Sequence, residues 1–463
     1  MIKSESIFEF EVLSDRKLLL RLTWPVILSL LVQGLYNFVD SIFLSNFGEA
    51  VLSALSFASI VQNIVTALLT GIATGMNAII SKALGEENYF HAKNAVFNGC
   101  VIQGIFALFI SVLSIWLVPL YFAESSGDSE VIAHGVAYLR PCMLFAFFAA
   151  SQITFESLLQ STGRTKLMLV CQLIGASVNI VLDPILIFGF ADFRGLGVSG
   201  AAYATITGQI CAASCGYFLN AKYNTSITSN ILYTSKVDLS MAGRVLGIGL
   251  PVSFLFVASN ICNYIVNRIL LLFGSTANSA FGLYTKVEQL ALIPHKGFQS
   301  SMLTSIAYFY GKRDMTRLRA LFICGAQFIA GWSIFCGLFF IAVPQLTLAP
   351  FQPTESMLYI GIPAVQIVGS TFLLSGFASA LGAFFQAIGK SSVFLIITLC
   401  RQVLVRIPVA LLLATTGLIA SIWWSWPISE ILSDIVSVAF FVHFYKRVKK
   451  EIVPFSVEQP SVV

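Results

Sequence analysis

The stretch "WPVILSLLVQGLYNFVDSIFLSNFGEAVLSA", residues 24–54, decides the fold, because the chain carries it twice. It aligns with "LPVSFLFVASNICNYIVNRILLLFGSTANSA", residues 250–280. Pro25 meets Pro251, Asn37 meets Asn263, Phe47-Gly48 meets Phe273-Gly274 and Ser53-Ala54 meets Ser279-Ala280, every pair 226 residues apart. Without a gap, the same offset joins Gly71 to Gly297, Gly85 to Gly311, Gly99 to Gly325, and "QSTGR" (160–164) to "QAIGK" (386–390). Chance supplies a few matched glycines in an apolar chain, but not one register held over about 140 residues.

Each copy is built for hydrocarbon. The chain has 463 residues, 57% hydrophobic and 11% charged, with 40 Phe, whereas a soluble domain carries roughly 25% charged residues. Its charges cluster, leaving apolar runs of about 20 residues or more, the length that crosses a bilayer core as a helix. Barrel strands of about 10 alternating residues do not fit such uniform runs. The fold class is therefore an all-α membrane protein. The opening 21 residues, with Lys3, Arg16, Lys17 and Arg21, lead into a long apolar stretch with no cleavage pattern and read as a retained first helix. Nine Cys, among them Cys100, Cys142, Cys171 and Cys400, lie mostly in apolar runs without C-x-x-C spacing and read as packing residues.

Apolar runs between Gly, Pro and charge breaks predict twelve helices: 15–46, 50–81, 92–120, 131–160, 166–190, 196–220, 241–273, 277–309, 315–347, 355–387, 391–413 and 416–446. The breaks alternate. One set is basic and holds 20 of the 27 Lys and Arg; the other holds Arg194 alone, and six lie within apolar spans. By the positive-inside rule both termini and the basic loops are cytoplasmic in a multi-pass protein of the cell (inner or plasma) membrane. The net charge of +5 thus reflects topology and not a nucleic-acid partner. Six helices per copy keep the same orientation, so the pseudo-two-fold axis runs along the membrane normal. In transporters with parallel repeats the binding cavity lies between the halves near the midplane. The expected organisation is a six-helix lobe over 1–220, a polar cytoplasmic linker over 221–240 and a second six-helix lobe over 241–463, acting as a monomer.

Differences between the copies locate chemistry. Asp40 aligns with Val266, and Asp183 with Val409 where the register extends that far. On the first helix Ser29, Gln33, Tyr36, Asn37 and Asp40 share a face; on the fifth, Gln172, Asn179 and Asp183 do. Both helices run outward and end about seven residues beyond their Asp, so both carboxyls lie roughly 10 Å below the outer surface and can meet. Thr205, on the inward-running sixth helix, has a compatible depth. An Asp inside a membrane helix costs roughly 2.5–3.5 kcal/mol, and two side by side cannot both ionise cheaply, so the pair should share a proton or bind a cation. Pro184 lacks an N–H and leaves the carbonyl of Ile180 as a further oxygen. The plainer alternative is a hydrogen-bonded tie between helices; two acids at one depth in one half favour the ion site. Pro25 should kink the first helix, as a hinge or as a static bend. Asn260, Asn263 and Asn267, with Tyr284, Glu288, His295 and Gln299, are candidates to line a cavity or to bond between helices. Glu156, near the cytoplasmic end of the fourth helix, reads as a group that reaches water.

At these residues the sequence resembles the multidrug and toxic compound extrusion (MATE) family of secondary exporters, over nearly the whole chain. The resemblance is carried by "TWPVILSLLVQGLYNFVDSIFLSNFG", the "GEENYFHAKNA" and "GKRDMTRLRA" loops, "LLQSTGRTK" and "NIVLDPILIFGF…GLGVSGAAYAT". It implies a first-half cation site at Asp40, Asn179, Asp183 and Thr205, with the carbonyl of Ala201 beside them, and a first-helix bend involving Pro25 and Tyr36. Ser259 and Asn260 stand near a position where some members carry an acid, and 356–429 has no Asp or Glu, so no second-half sodium site is expected. It further implies a rocker-type antiporter in which H+ or Na+ enters and an amphipathic organic cation leaves. The substrate would be held by Tyr36, Gln33, Asn37, Asn263 and Glu288, with no cofactor and no metal beyond Na+. An intramembrane aspartate enzyme lacks the G-x-G-D motif, and no Walker loop supports ATP-driven pumping. A lipid-linked precursor flippase would need a basic cavity, for which Arg268, Lys286, Arg401 and Arg406 are the candidates.

Overall fold

The computed structural model describes residues 10–190, 193–231, 235–351 and 354–452. Helices account for nearly all of it. They fall into two compact units, one of Met1–Leu13, Arg21–Leu84 and Asn88–Ser253, the other of Ser14–Leu20, Gly85–Glu87 and Phe254–Val463.

The first six spans, which lie in the first unit except for Asp15–Leu20 and Gly85, are Asp15–Ser45, Glu49–Gly85, Tyr89–Ser125, Ser129–Leu144 with Ala146–Ser161, Thr165–Phe188 and Val198–Tyr223. Side chains cap two of the starts. Asn88 accepts from the His91 N–H and Asp128 from the Glu130 N–H, satisfying donors that a helix start leaves orphaned. The fourth span, expected as one helix, is bent by 51° at Phe145. Pro141, one turn earlier, cannot donate to the Ala137 carbonyl, and Ser199 Oγ takes that oxygen at 3.3 Å. The fifth span stops at Phe188, where Gly189 adopts a φ of 93°, and a two-residue hairpin pairs Gly189 with Arg194 and Phe190 with Phe193. Leu196 and Gly197 donate to the carbonyls of Leu186 and Ile187. Gly200 lies so close that a Cβ would sit 2.2 Å from the Leu186 oxygen. The start of the sixth span is therefore pressed against the end of the fifth.

That contact continues inward through small residues. A Cβ on Gly208 would meet the Gly175 carbonyl at 2.7 Å and Asn179 Cβ at 3.2 Å. Close backbone approach at small residues is how membrane helices associate without a hydrophobic drive. Span six continues to Tyr223, a short helix covers Thr225–Thr228, and span seven begins at Leu239. Residues 232–234 of the expected linker lie outside the described segments. The rest lies against the third span: Asn98 donates to the Lys236 carbonyl at 3.1 Å and accepts from the Asp238 N–H at 2.8 Å, while Lys93 donates to the Ser229 carbonyl.

The last six spans lie in the second unit except for Leu239–Ser253. They are Leu239–Leu271, Ser275–Ala291 with Ile293–Gly311, Met315–Ala342, Glu355–Ser370 with Phe372–Ala387, Ser391–Ala414, and Ile419–Ile422 with Ser425–Ile452. Four more expected helices are interrupted, the twelfth at Trp423 and Trp424. The eighth breaks at Leu292, ahead of Pro294, and Trp332 Nε1 donates to the Ala291 carbonyl at 2.9 Å. The tenth bends by 47° at Thr371, one repeat on from Phe145. The eleventh widens into a π-helix over Cys400–Arg406, just before Pro408, whose missing N–H cannot close an ordinary turn. The core here is aromatic, with Phe281, Tyr284, Trp423 and Trp426 packed together.

Among the described residues eight helices are long and apolar enough to cross a membrane, and the two bent pairs bring the number to ten. The remaining two are the sixth, rich in Gly, Ala, Ser and Thr, and the eighth, which is broken and carries Lys286, Glu288, His295 and Lys296. Two copies of a six-span arrangement account for twelve.

Candidate functional site

The Gly175–Gly208 contact sets the distance between spans five and six, and one turn outward it brings two polar side chains together. Asn179 Nδ2 reaches Thr205 Oγ1 at 3.4 Å. One turn further along span five is Asp183, wholly buried. From span one, Asp40 is buried at 7% exposure, and its carboxyl lies beside Asp183 and Asn179. Four of the predicted residues, from three helices, therefore share one place. Among the described residues no protein donor satisfies Asp40 Oδ1, Asn179 Oδ1 or either oxygen of Asp183. Ionised carboxylates only accept. Two of them in contact in a dry interior require something positive between them, a proton or a small hard cation with oxygen ligands.

Tyr36, one turn before Asp40, lies near Gln33 and lines a small cavity of about 20 Å³ within the first unit. Its polar wall is Tyr36, Gln152, Gln172, Asn179, Thr205 and Gln209. Asn179 and Thr205 thus face the carboxyl pair and the cavity together. Asn37 is exposed, and its carbonyl accepts from Ser41 Oγ. Ala201 is buried in the first turn of span six, its carbonyl within regular helix. Pro25 and Pro184 both lie inside helices that pass them without a break.

In the second unit Asn263 is half-buried, and Glu288 accepts from the Tyr284 hydroxyl at 3.1 Å. Glu288 also feels Arg406, Glu430 and Arg401. Glu430 is the hub, 2.9 Å from Arg401 and 3.7 Å from Arg406. Arg406 in turn donates to Ser429 Oγ and lies over the Trp426 ring. Sequence reasoning named the arginines but missed Glu430. The pattern "SEILSD" at 429–434, two acids one turn apart in an apolar helix, was the available signal. It missed Gln152 as well, which bonds both Gln172 and Glu156. Glu430 thus offsets one of the two positive charges on Arg401 and Arg406.

A helical membrane protein with an internal duplication, a buried carboxyl pair and a polar cavity against it is a membrane transporter. The MatE family profile matches residues 25–185 and again 251–412, two segments that begin 226 residues apart, and the chain belongs to that family. Its relatives include a protein of Shewanella oneidensis named FAD transporter, 24% identical over 90% of this chain and 92% of that protein. They also include the Staphylococcus aureus multidrug export protein MepA, 22% identical over 94% and 96%. The fold matches a MOP superfamily transporter from Pyrococcus furiosus with a TM-score of 0.90 at 21% identity, covering 97% of this chain and all of that one. A crystal structure of MATE in the bent conformation also gives 0.90 at 21% identity, covering 98% of this chain and all of that one.

Proposed function

We propose that the protein exports amphipathic organic cations, drugs among them, by alternating access, in exchange for H+ or Na+ bound at Asp40 and Asp183. The observation that carries this reading is two buried carboxyls side by side, with Asp40 Oδ1 and both oxygens of Asp183 lacking a protein donor among the described residues. Charge supplies the coupling. Asn179 and Thr205 belong to both the pair and the cavity, so a cation in the cavity lies a few ångströms from the carboxyls. At such distances in a low dielectric an ionised pair attracts a cation by several kcal/mol. Once the pair is neutralised by the coupling ion, that attraction is withdrawn. Coupling ion and substrate therefore oppose one another, which is the requirement for exchange rather than co-transport. Cation–π contact with aromatic side chains would hold the apolar body of the substrate.

One relative is named for multidrug export and another for FAD. The acids of the first unit and the Glu430-paired arginines of the second favour a cationic cargo over an anionic one. The basic loops support a cell-membrane orientation with both termini cytoplasmic. The test is efflux of a fluorescent organic cation from cells making the protein, with and without a protonophore and with Na+ replaced. Efflux that stops when the relevant gradient is collapsed is expected; efflux indifferent to both gradients would overturn coupled antiport.

A further inference from the structure

We propose that Glu156 is the cytoplasmic end of a proton path that begins at the Asp40–Asp183 pair and runs through the first unit. The proposal rests on the antiport reading with H+ as the coupling ion. The groups form a continuous row. Asp40 lies beside Asn179, Asn179 reaches Thr205 at 3.4 Å, and both Asn179 and Thr205 line the small polar cavity. Its other wall holds Tyr36, Gln172 and Gln152. Gln152 Nε2 then donates to Gln172 Oε1 at 3.2 Å and to Glu156 Oε1 at 3.0 Å. With about 20 Å³ of free space, the cavity admits one or two ordered waters, which bridge the polar groups along its wall. Amides orient such waters but cannot take a proton at neutral pH, so the two carboxyl stations are the pair and Glu156.

Position and charge agree with an exit. Glu156 is half-buried, five residues before its span ends at Ser161, about 7.5 Å along the helix axis. The "GRTK" turn that follows is one of the basic loops assigned to the cytoplasm. Tyr36 from span one and Cys171 from span five are the titratable groups that face it. Among the described residues no Lys or Arg pairs with Glu156, so its carboxylate is open to a mobile cation.

The repeat argues against a merely structural role. One repeat on, Gln152 and Glu156 become Ala378 and Gly382, and Tyr36 and Asp40 become Cys262 and Val266. The second unit bends its tenth span at the equivalent place without any of these groups. The row is confined to the half that carries the acid pair. In the step proposed, the proton leaves the pair for the Glu156 carboxylate and passes from there to the cytoplasm, restoring one negative charge at the pair.

The test uses the full-length protein in liposomes with tetraphenylphosphonium as probe. Accumulation driven by a pH gradient is compared with exchange of labelled for unlabelled probe, which moves no net proton. Glu156→Gln should slow gradient-driven accumulation at least ten-fold while exchange stays within two-fold of wild type, which also shows that the variant folds. Glu156→Asp should recover most of the loss. Unchanged accumulation in Glu156→Gln would overturn the path, and so would a parallel fall in exchange, which would make Glu156 a substrate ligand. Asp40→Asn is run alongside: full gradient-driven accumulation there would defeat the antiport reading itself, a separate failure.

Discussion

Asp40 and Asp183 stand where the second copy has Val266, packed in an apolar core, and Val409. Asparagine at either acid keeps the shape and can donate to the remaining carboxylate, so folding should survive. It cannot gain or lose a proton, so Asp40→Asn and Asp183→Asn should each lower gradient-driven export at least ten-fold. The two groups titrate as a unit, and the double variant should be scarcely worse than either single one. Thr205→Ala removes one neutral partner of Asn179, worth about 1 kcal/mol, and should slow transport roughly five-fold in initial-rate measurements. Val266→Ala, by contrast, should lower thermal stability by about 1–2 kcal/mol as a buried deletion and leave coupling intact. The acid pair was legible in the sequence because the duplication supplied an internal control at each position. Glu430 was not, because its meaning comes from Arg401 and Arg406 on a neighbouring span, a tertiary contact that leaves no periodic trace. Glu156 was read as merely reaching water, since neither Gln152 nor the cavity beside it could be placed from spacing.

Elements were legible in number and order, less so in shape. Ends marked by glycine, asparagine or a charged turn fell within a few residues of expectation. The breaks at Phe145, Leu292, Thr371 and in 400–406 did not. Proline alone does not foretell them: Pro25, Pro184 and Pro251 sit inside unbroken helices. At the Phe145 break another element takes the carbonyl freed by proline, as Ser199 does for Ala137; at the Leu292 break Trp332 bonds the neighbouring Ala291 carbonyl. Spans five and six depend on a closer fit. At Gly208 a Cβ would stand 2.7 Å from the Gly175 oxygen, so Gly208→Ala must spread the pair and strain the Asn179–Thr205 contact. Overpacking of this kind costs about 1–3 kcal/mol. A lower melting temperature in detergent and slower transport should appear together; a variant as stable and active as wild type would show that the spans are not held at that distance.

For the molecule as a whole, the duplication and the loop charges make a joint statement about topology. Tags at residue 1, within 225–231 and at residue 463 should all be reached from the cytoplasm. Ser126→Cys, in the loop after the third span, should react with an impermeant maleimide from outside. External labelling of the linker would contradict the duplicated six-span arrangement. That arrangement was visible from the 226-residue offset alone, and the family match begins at residues 25 and 251, the same distance apart. What moves during transport was not legible, because a helix that bends and one that does not share the same apolar pattern.

Coupling at the carboxyl pair is tested most directly by reconstituting wild type and the Asp40→Asn, Asp183→Asn double variant in liposomes and imposing first a pH gradient, then a Na+ gradient. Wild type should concentrate an organic cation against its own gradient under at least one of them. The double variant should only equilibrate it under both. Uphill accumulation by the double variant at the wild-type level would place the coupling ion somewhere other than Asp40 and Asp183.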